Sequence, residues 1–127
     1  MTDQRTVLFV CLHGMGMSRL AAAFFNASAP AGWQAVSVGL EPGETLSPTA
    51  ARLLAGTAAE PFLDRAAPRP IDPALSGDRV IAIRNPSMQF NVPGAETWDL
   101  TAAEFDEHMR DEIRVRAERL IQQLGSS

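Results

Sequence analysis

The 127-residue sequence has a single cysteine, no lysine and no tyrosine. One cysteine excludes a disulfide within the chain and is typical of a protein kept in a reducing cytosol. All eleven basic residues are arginines, which we interpret as a bias of overall composition. In the last segment they alternate with acidic residues, a pattern typical of a solvated helix face. The sequence has no basic stripe that would indicate nucleic-acid binding.

Long apolar runs are also lacking. Charged residues, glycine or proline interrupt every apolar stretch within about ten residues, too short to span a membrane. The N-terminal segment MTDQRTVLFV has neither the basic region nor the cleavage site of a signal peptide. We therefore expect a cytoplasmic protein that binds neither membranes nor nucleic acid.

The chain is long enough to bury one core of its own, and 46% of its residues are apolar. No internal repeat and no low-complexity linker divides it. We therefore expect a single domain over residues 1–127.

Strand and helix patterns alternate along the sequence and predict a parallel α/β sheet. Strands are predicted over 5–11, 33–38, 79–83 and 95–100, and an irregular connector with one short helical turn over 57–78. Helices are predicted over 18–28, over 48–56 after a Ser-Pro start, and from a Thr101–Glu104 capping box onwards. In such sheets ligands bind at the carboxyl ends of the strands.

The segment TVLFVCLHGMGMSRL, residues 6–20, is the most informative part of the sequence. An apolar strand ends at Cys11, two glycines follow, and Ser18 is the predicted N-cap of an alanine-rich helix. Backbone N–H groups and the dipole at a helix N-terminus favour a thiolate and bind anions. This order therefore predicts a thiolate nucleophile inside an anion site, although Cys11 as an inert buried thiol remains the alternative.

The same segment resembles the C-x5-R-S loop of the low-molecular-weight protein tyrosine phosphatases. It is more similar to the C-x-H-N-x-G-R-S loop of the related thioredoxin- or mycothiol-coupled arsenate reductases. Later segments are similar to successive blocks of this superfamily in the same order: SVGLEPGETLSP, LDRAAPRPI, VPGAETWDL and RDEIRVRAERL. The resemblance implies a three-layer fold, in which helices flank a four-stranded parallel sheet of order 2-1-3-4.

The resemblance makes Cys11 the nucleophile and Ser18 the hydroxyl that stabilises its thiolate. The ligand-binding loop would comprise Leu12, His13, Gly14, Met15, Gly16 and Met17. Histidine at 13 matches the arsenate-reductase version of the loop. A C-x-H-x-M-x-M set of ligands would suit Cu(I), but the family loop already accounts for its first two members. We therefore expect no metal and no cofactor.

Three features depart from the family pattern. Met17 replaces the arginine that grips the phosphate, and Gly14 replaces the asparagine that braces the loop. The general acid and its proline, which follow the fourth strand, correspond here to Ala102 and Ala103. The additional redox cysteines of the arsenate reductases are missing as well.

These departures predict little phosphatase turnover. A cation on a transferring phosphoryl group contributes on the order of 10³ or more in rate, and a general acid roughly 10² to 10⁴. We therefore expect a catalytically impaired phosphatase-like protein. Its partner would be a small anion or a small uncharged ligand in the Cys11–Ser18 loop, or another protein. Met88, Phe90 and Val92 are predicted to add apolar surface around the mouth of the loop.

Two active alternatives remain. One is a cysteine-dependent phosphatase or arsenate reductase with Cys11 as nucleophile, in which Arg19 folds back over the loop and substitutes for the missing arginine. If it does not, Arg19 should lie exposed on the helix surface. The other is a thiol enzyme that acts on an uncharged substrate through Cys11.

Overall fold

A computed structural model describes residues 4–71 and 77–125, and it contains a four-stranded parallel sheet. The strands are β1 (Arg5–Cys11), β2 (Trp33–Gly39), β3 (Arg79–Arg84) and β4 (Glu96–Asp99). The helices are α1 (Met17–Ala27), α2 (Pro48–Leu54) and α3 (Glu107–Gly125), with a 3-10 turn at Glu60–Phe62. The order β2-β1-β3-β4 confirms the predicted sheet. Residues 72–76 of the predicted connector lie outside the described residues.

The sheet order places the end of β1 between two neighbours. Cys11, the last residue of β1, pairs with Gly39 at the end of β2. On the other side β1 pairs with β3, with Val10 opposite Ala82. Because all strands run parallel, the segments that follow β1, β2 and β3 leave the same edge of the sheet. The loop after Cys11 leaves from this edge.

Alternation along β1 divides the core between the two faces of the sheet. Val7, Phe9 and Cys11 face the larger apolar cluster, which includes buried residues of all three helices. Leu8 and Val10 face a smaller cluster on the opposite side of the sheet. No helix in the described ranges has the length and apolar character that a membrane crossing requires.

The predicted start of α3 is wrong, because Thr101 and Glu104 do not form a capping box. The helix begins at Glu107, where the carboxylate of Asp106 accepts the Met109 N–H at 3.1 Å. Residues 101–106 form an irregular segment that we call the 101–106 loop. Threonine and aspartate are both good N-caps, and Asp106, the one nearer the helix, provides the cap.

Glu112 of α3 fastens the 101–106 loop. Its carboxylate accepts the N–H of Thr101 at 2.8 Å, the Thr101 hydroxyl at 3.1 Å and the N–H of Ala102 at 3.2 Å. Burial alone would raise the pKa of Glu112, but these hydrogen bonds and the charge of Arg116 together lower it. The folded loop therefore favours the ionised carboxylate.

We predict that Glu112→Gln weakens the acid sensitivity of the fold. A carboxylate with a lowered pKa in the folded state stabilises the protein above its unfolded-state pKa, and this stabilisation is lost as the pH falls. The unfolded-state pKa is near 4.5. Urea unfolding between about pH 7 and pH 3 should therefore show a larger loss of stability in the wild type than in Glu112→Gln. Parallel pH profiles would contradict the prediction.

Candidate functional site

Cys11 lies at the base of the loop that joins β1 to α1, and it is 3% exposed. Its Sγ accepts the Gly14 N–H at 3.2 Å and lies 3.0 Å from the Ser18 hydroxyl. The Ser18 hydroxyl is in turn 2.6 Å from the Ser37 hydroxyl on β2. The sulfur is therefore within reach of two hydrogen-bond donors, an arrangement suited to a thiolate.

The helix α1 begins earlier than predicted. Gly16 is the N-cap and Met17 is the first helical residue. Ser18 is fully buried and does not cap the helix. The predicted proximity of Ser18 to Cys11 is therefore present, although its predicted N-cap position is wrong.

Two glycines allow the loop to lie against the end of β2. Gly14 has a φ of +66°, which an L side chain rarely adopts. A Cβ at Gly14 would lie 2.8 Å from the backbone N of Gly39, and a Cβ at Gly39 would lie 2.6 Å from the carbonyl carbon of His13. Carbonyls of the loop also accept N–H groups from the segment after β2, at 2.7 to 3.0 Å: Leu12 from Glu41, His13 from Gly43, and Met15 from Ser47.

Arg19 braces this loop from its buried side. The side chain is 1% exposed; its Nε donates to the Gly14 carbonyl at 2.8 Å, and Nη1 donates to the Asp64 carbonyl at 2.6 Å. The expectation that Arg19 lies exposed on the helix surface is therefore wrong. It is also absent from the lining of the cavity at Cys11 described below. Its Nη2 has no partner among the described residues.

Asp64 balances the buried charge of Arg19. Burial lowers the pKa of Arg19, and the Asp64 carboxylate, 3.8 Å from Nη1, opposes this shift. Burial would raise the pKa of Asp64, but hydrogen bonds from Ala66 and Arg69 and the nearby guanidinium charges lower it. Arg69 contacts the Asp64 carboxylate at 2.9 Å and also donates to the Ser37 carbonyl at 3.3 Å.

A cavity of about 360 Å³ opens beside Cys11. All four methionines of the described residues line it, namely Met15, Met17, Met88 and Met109. The other lining residues are Cys11, Leu12, His13, Gly16, Ser47, Asn85, Ser87, Ala103 and Phe105. Among these described lining residues there is no arginine and no carboxylate. His13 is the one basic side chain among them.

The 101–106 loop forms one wall of this cavity. Ala102 and Ala103 occupy the positions that the resemblance assigns to the acid and its proline; Ala102 is buried, and Ala103 lines the cavity. Phe105 covers the start of α1, since a Cβ at Gly16 would lie 2.8 Å from the Phe105 ring. The lack of a side chain at Gly16 thus lets the aromatic ring pack onto the helix N-terminus.

The structure separates the predicted apolar rim into two parts. Met88 lines the cavity, but Phe90 and Val92 pack against the smaller cluster on the other side of the sheet. Asp99, near the position of the missing acid, is held by Arg84 at 2.8 and 3.1 Å. This ion pair lowers the pKa of Asp99, and Asp99 does not line the cavity.

Asn85 directly follows β3 and lines the cavity, although the sequence did not predict it as a site residue. It is 5% exposed, and its Nδ2 donates to the Ala103 carbonyl at 3.3 Å. Its Oδ1 has no hydrogen-bond partner among the described residues. The available signal was a polar residue at the carboxyl end of the strand beside β1.

His13 lines the cavity rather than lying apart from it. Its Nδ1 is 3.0 Å from the Glu41 carbonyl. A carbonyl only accepts, so Nδ1 carries the proton and Nε2 is the nitrogen that can accept one.

No protein-family model and no curated protein matches this sequence. Solved structures do match it. An arsenate reductase from Archaeoglobus fulgidus is 27% identical with a TM-score of 0.63, and the match covers 95% of this chain and 99% of that one. An arsenate reductase in a phosphate-binding state is 23% identical with a TM-score of 0.72, covering 94% and 98%.

A low-molecular-weight protein tyrosine phosphatase from T. tengcongensis is 21% identical with a TM-score of 0.69, and the match covers 94% of this chain and 99% of the phosphatase. These similarities extend over nearly the whole chain, and the sheet order is the one that the resemblance implied. The protein therefore has the fold shared by the arsenate reductases and the low-molecular-weight protein tyrosine phosphatases.

Proposed function

We propose that this protein is a phosphatase-like domain that has lost phosphoryl-transfer chemistry and binds a ligand in the cavity beside Cys11. The observation that carries the proposal is the cavity lining, in which methionines lie around the sulfur and the described residues include no arginine. Met17 stands where the family arginine would grip the phosphate. A cytoplasmic location is part of the proposal, since a lone cysteine suits a reducing compartment.

The charge balance at the cavity supports this proposal. A phosphate dianion must lose much of its hydration on entering, and buried charges are tolerated only when they are paired. The N–H groups of α1 supply a partial positive charge, but they do not replace a bidentate guanidinium. Ala102 and Ala103 also offer no proton to a leaving group.

The contacts of Arg19 weigh against its use as a substitute arginine. To reach a phosphate at Cys11 it would have to give up its hydrogen bonds to Gly14 and Asp64. The Gly14 carbonyl would then lose its charged donor, and a loop that needs a fixed shape would lose its brace. The active alternative thus requires a rearrangement of the buried loop.

We predict that wild-type protein hydrolyses p-nitrophenyl phosphate no faster than Cys11→Ser. Met17→Arg should gain turnover that is lost again in the Met17→Arg/Cys11→Ser double variant, because it restores the missing cation. Its rate should stay roughly 10² or more below that of an enzyme with a general acid. The measurement is release of nitrophenolate at saturating substrate.

Met17→Leu is the matched control, since it removes the thioether without adding charge and should remain inactive. Wild-type turnover that disappears in Cys11→Ser would overturn the proposal and favour the active alternative. No gain in Met17→Arg would contradict the role assigned to position 17.

We predict that Arg19→Gln destabilises the fold by about 1–3 kcal/mol, because it leaves buried carbonyls without their donor. Arg52→Gln is the control. Arg52 is a 63% exposed arginine paired with Glu107, and its loss should cost about 1 kcal/mol or less. Urea unfolding at neutral pH measures both. A stable Arg19→Gln protein that has lost phosphatase activity would instead indicate a catalytic Arg19.

We further predict that iodoacetamide alkylates Cys11 faster than iodoacetate does. The quantity compared is the rate constant with each reagent, divided by the rate constant of that reagent with a small free thiol. In this reaction the thiolate displaces iodide and forms the S–C bond. The uncharged reagent enters a cavity without an arginine, whereas the carboxylate must give up its hydration there. Met17→Arg should shift the rate ratio toward iodoacetate by about tenfold, as a nearby unit charge would.

Mass spectrometry of the labelled protein gives both rates, and Cys11→Ser should take up no label. Faster reaction with iodoacetate in the wild type would show that the loop still attracts anions, contrary to the proposal.

A further inference from the structure

We infer that the cavity beside Cys11 selects an uncharged ligand that carries a carboxamide on an apolar body, with Asn85 as the residue that recognises its N–H. This inference rests on the proposed function, because it names the ligand class of the same cavity. It depends on three features of the lining: an unpartnered acceptor, a helix N-terminus and four thioethers.

The acceptor is the Oδ1 of Asn85. Buried polar groups in folded proteins are nearly always hydrogen-bonded, and an unpartnered one is costly. The side chain cannot escape by exchanging its oxygen and nitrogen, since Oδ1 would then face the Ala103 carbonyl, which is also an acceptor. The orientation of the amide is thus set by its own hydrogen bond, and Oδ1 is left to accept an N–H or O–H group.

The backbone of Asn85 holds this acceptor in place. Asn85 and Met88 exchange backbone hydrogen bonds of 3.2 and 3.0 Å, and Gln89 donates to the Asn85 carbonyl at 2.7 Å. The Ser87 hydroxyl donates to the same Ala103 carbonyl at 3.0 Å. These two hydrogen bonds to the Ala103 carbonyl connect the turn after β3 to the 101–106 loop. Because the Asn85 side chain is already fixed, binding costs little conformational entropy at this residue.

The start of α1 supplies the complementary donors. The first N–H groups of a helix have no intrahelical partner, and Gly16 and Met17 of this helix line the cavity. A carbonyl oxygen satisfies such donors without bringing in a net charge. A carboxamide offers both a carbonyl and an N–H, and so matches both polar features.

The rest of the lining selects an apolar body. Four methionines and Phe105 surround the cavity, and methionine side chains adapt to flat or irregular shapes. The volume of about 360 Å³ lies near the lower end of the range for small-molecule sites. Among the described lining residues His13 is the only basic side chain, and a carboxylate has no hydrogen to donate to Oδ1.

The test compares two probes of nearly equal shape, N-methylbenzamide and methyl benzoate, which differ in the N–H that the ester lacks. NMR chemical-shift titration of the wild type should give a dissociation constant for the amide that is roughly five- to tenfold lower than for the ester, the effect of one hydrogen bond to a buried acceptor. In Asn85→Ala this preference should disappear or reverse, because an apolar cavity alone favours the ester.

Asn91→Ala is the matched control: it makes the same substitution at an exposed asparagine that does not line the cavity, so it should keep the preference. Equal or weaker binding of the amide in the wild type, no binding of either probe, or a preference that survives in Asn85→Ala would each overturn the inference. The wild-type comparison stands even if Asn85→Ala does not fold. Because no phosphate is involved, the result is separate from the hydrolysis assay that tests the proposed function.

Discussion

The hydrogen bond from Arg19 Nε to the Gly14 carbonyl holds the rest of the site in shape. Gly14 is the loop residue in the left-handed conformation, and its N–H points at the sulfur of Cys11. The hydrogen bond from Arg19 to the Gly14 carbonyl therefore also fixes the direction of the Gly14 N–H toward Cys11. The brace needs a buried cation, and Asp64 makes that burial tolerable by lying beside it. Arg19 therefore contacts the loop from its buried side and does not line the cavity.

The cavity follows from this arrangement. With the guanidinium on the buried side, the described residues on the side of the loop that faces the cavity include methionine thioethers and no arginine. The 101–106 loop closes over it, held by Glu112 and bearing alanines where a proton donor would stand. Under the proposed function, the shape, charge and lack of a proton donor together make the cavity unsuited to phosphoryl transfer, while the thiol stays in place.

Much of the fold could be predicted from the sequence because its strands are short apolar runs. The bounds of β1 match the prediction, and α2 begins at Pro48 as expected. The start of α3 was mispredicted because residues 101–106 contain two competent caps, Thr101 and Asp106, and Thr101 is instead bound by Glu112, eleven residues later. The sequence of residues 101–106 alone does not show the contact between Thr101 and Glu112.

The site was predictable only in part for the same reason. Cys11, Ser18 and the loop glycines are neighbours in sequence, and the structure brings them together. The burial of Arg19 depends on Asp64, 45 residues away. The orientation of the Asn85 amide depends on its hydrogen bond to the Ala103 carbonyl, 18 residues away. Such pairings become visible only when the chain is folded.

The polar contacts around the loop close into a ring. From the sulfur of Cys11 they pass through Ser18 and Ser37, then through Arg69, Asp64, Arg19 and Gly14, and return to the sulfur. Asp64 belongs to the connector after α2 and does not line the cavity. A substitution in that connector that removes the Asp64 contacts would therefore change the surroundings of the sulfur, although the loop and the cavity lining keep their sequence.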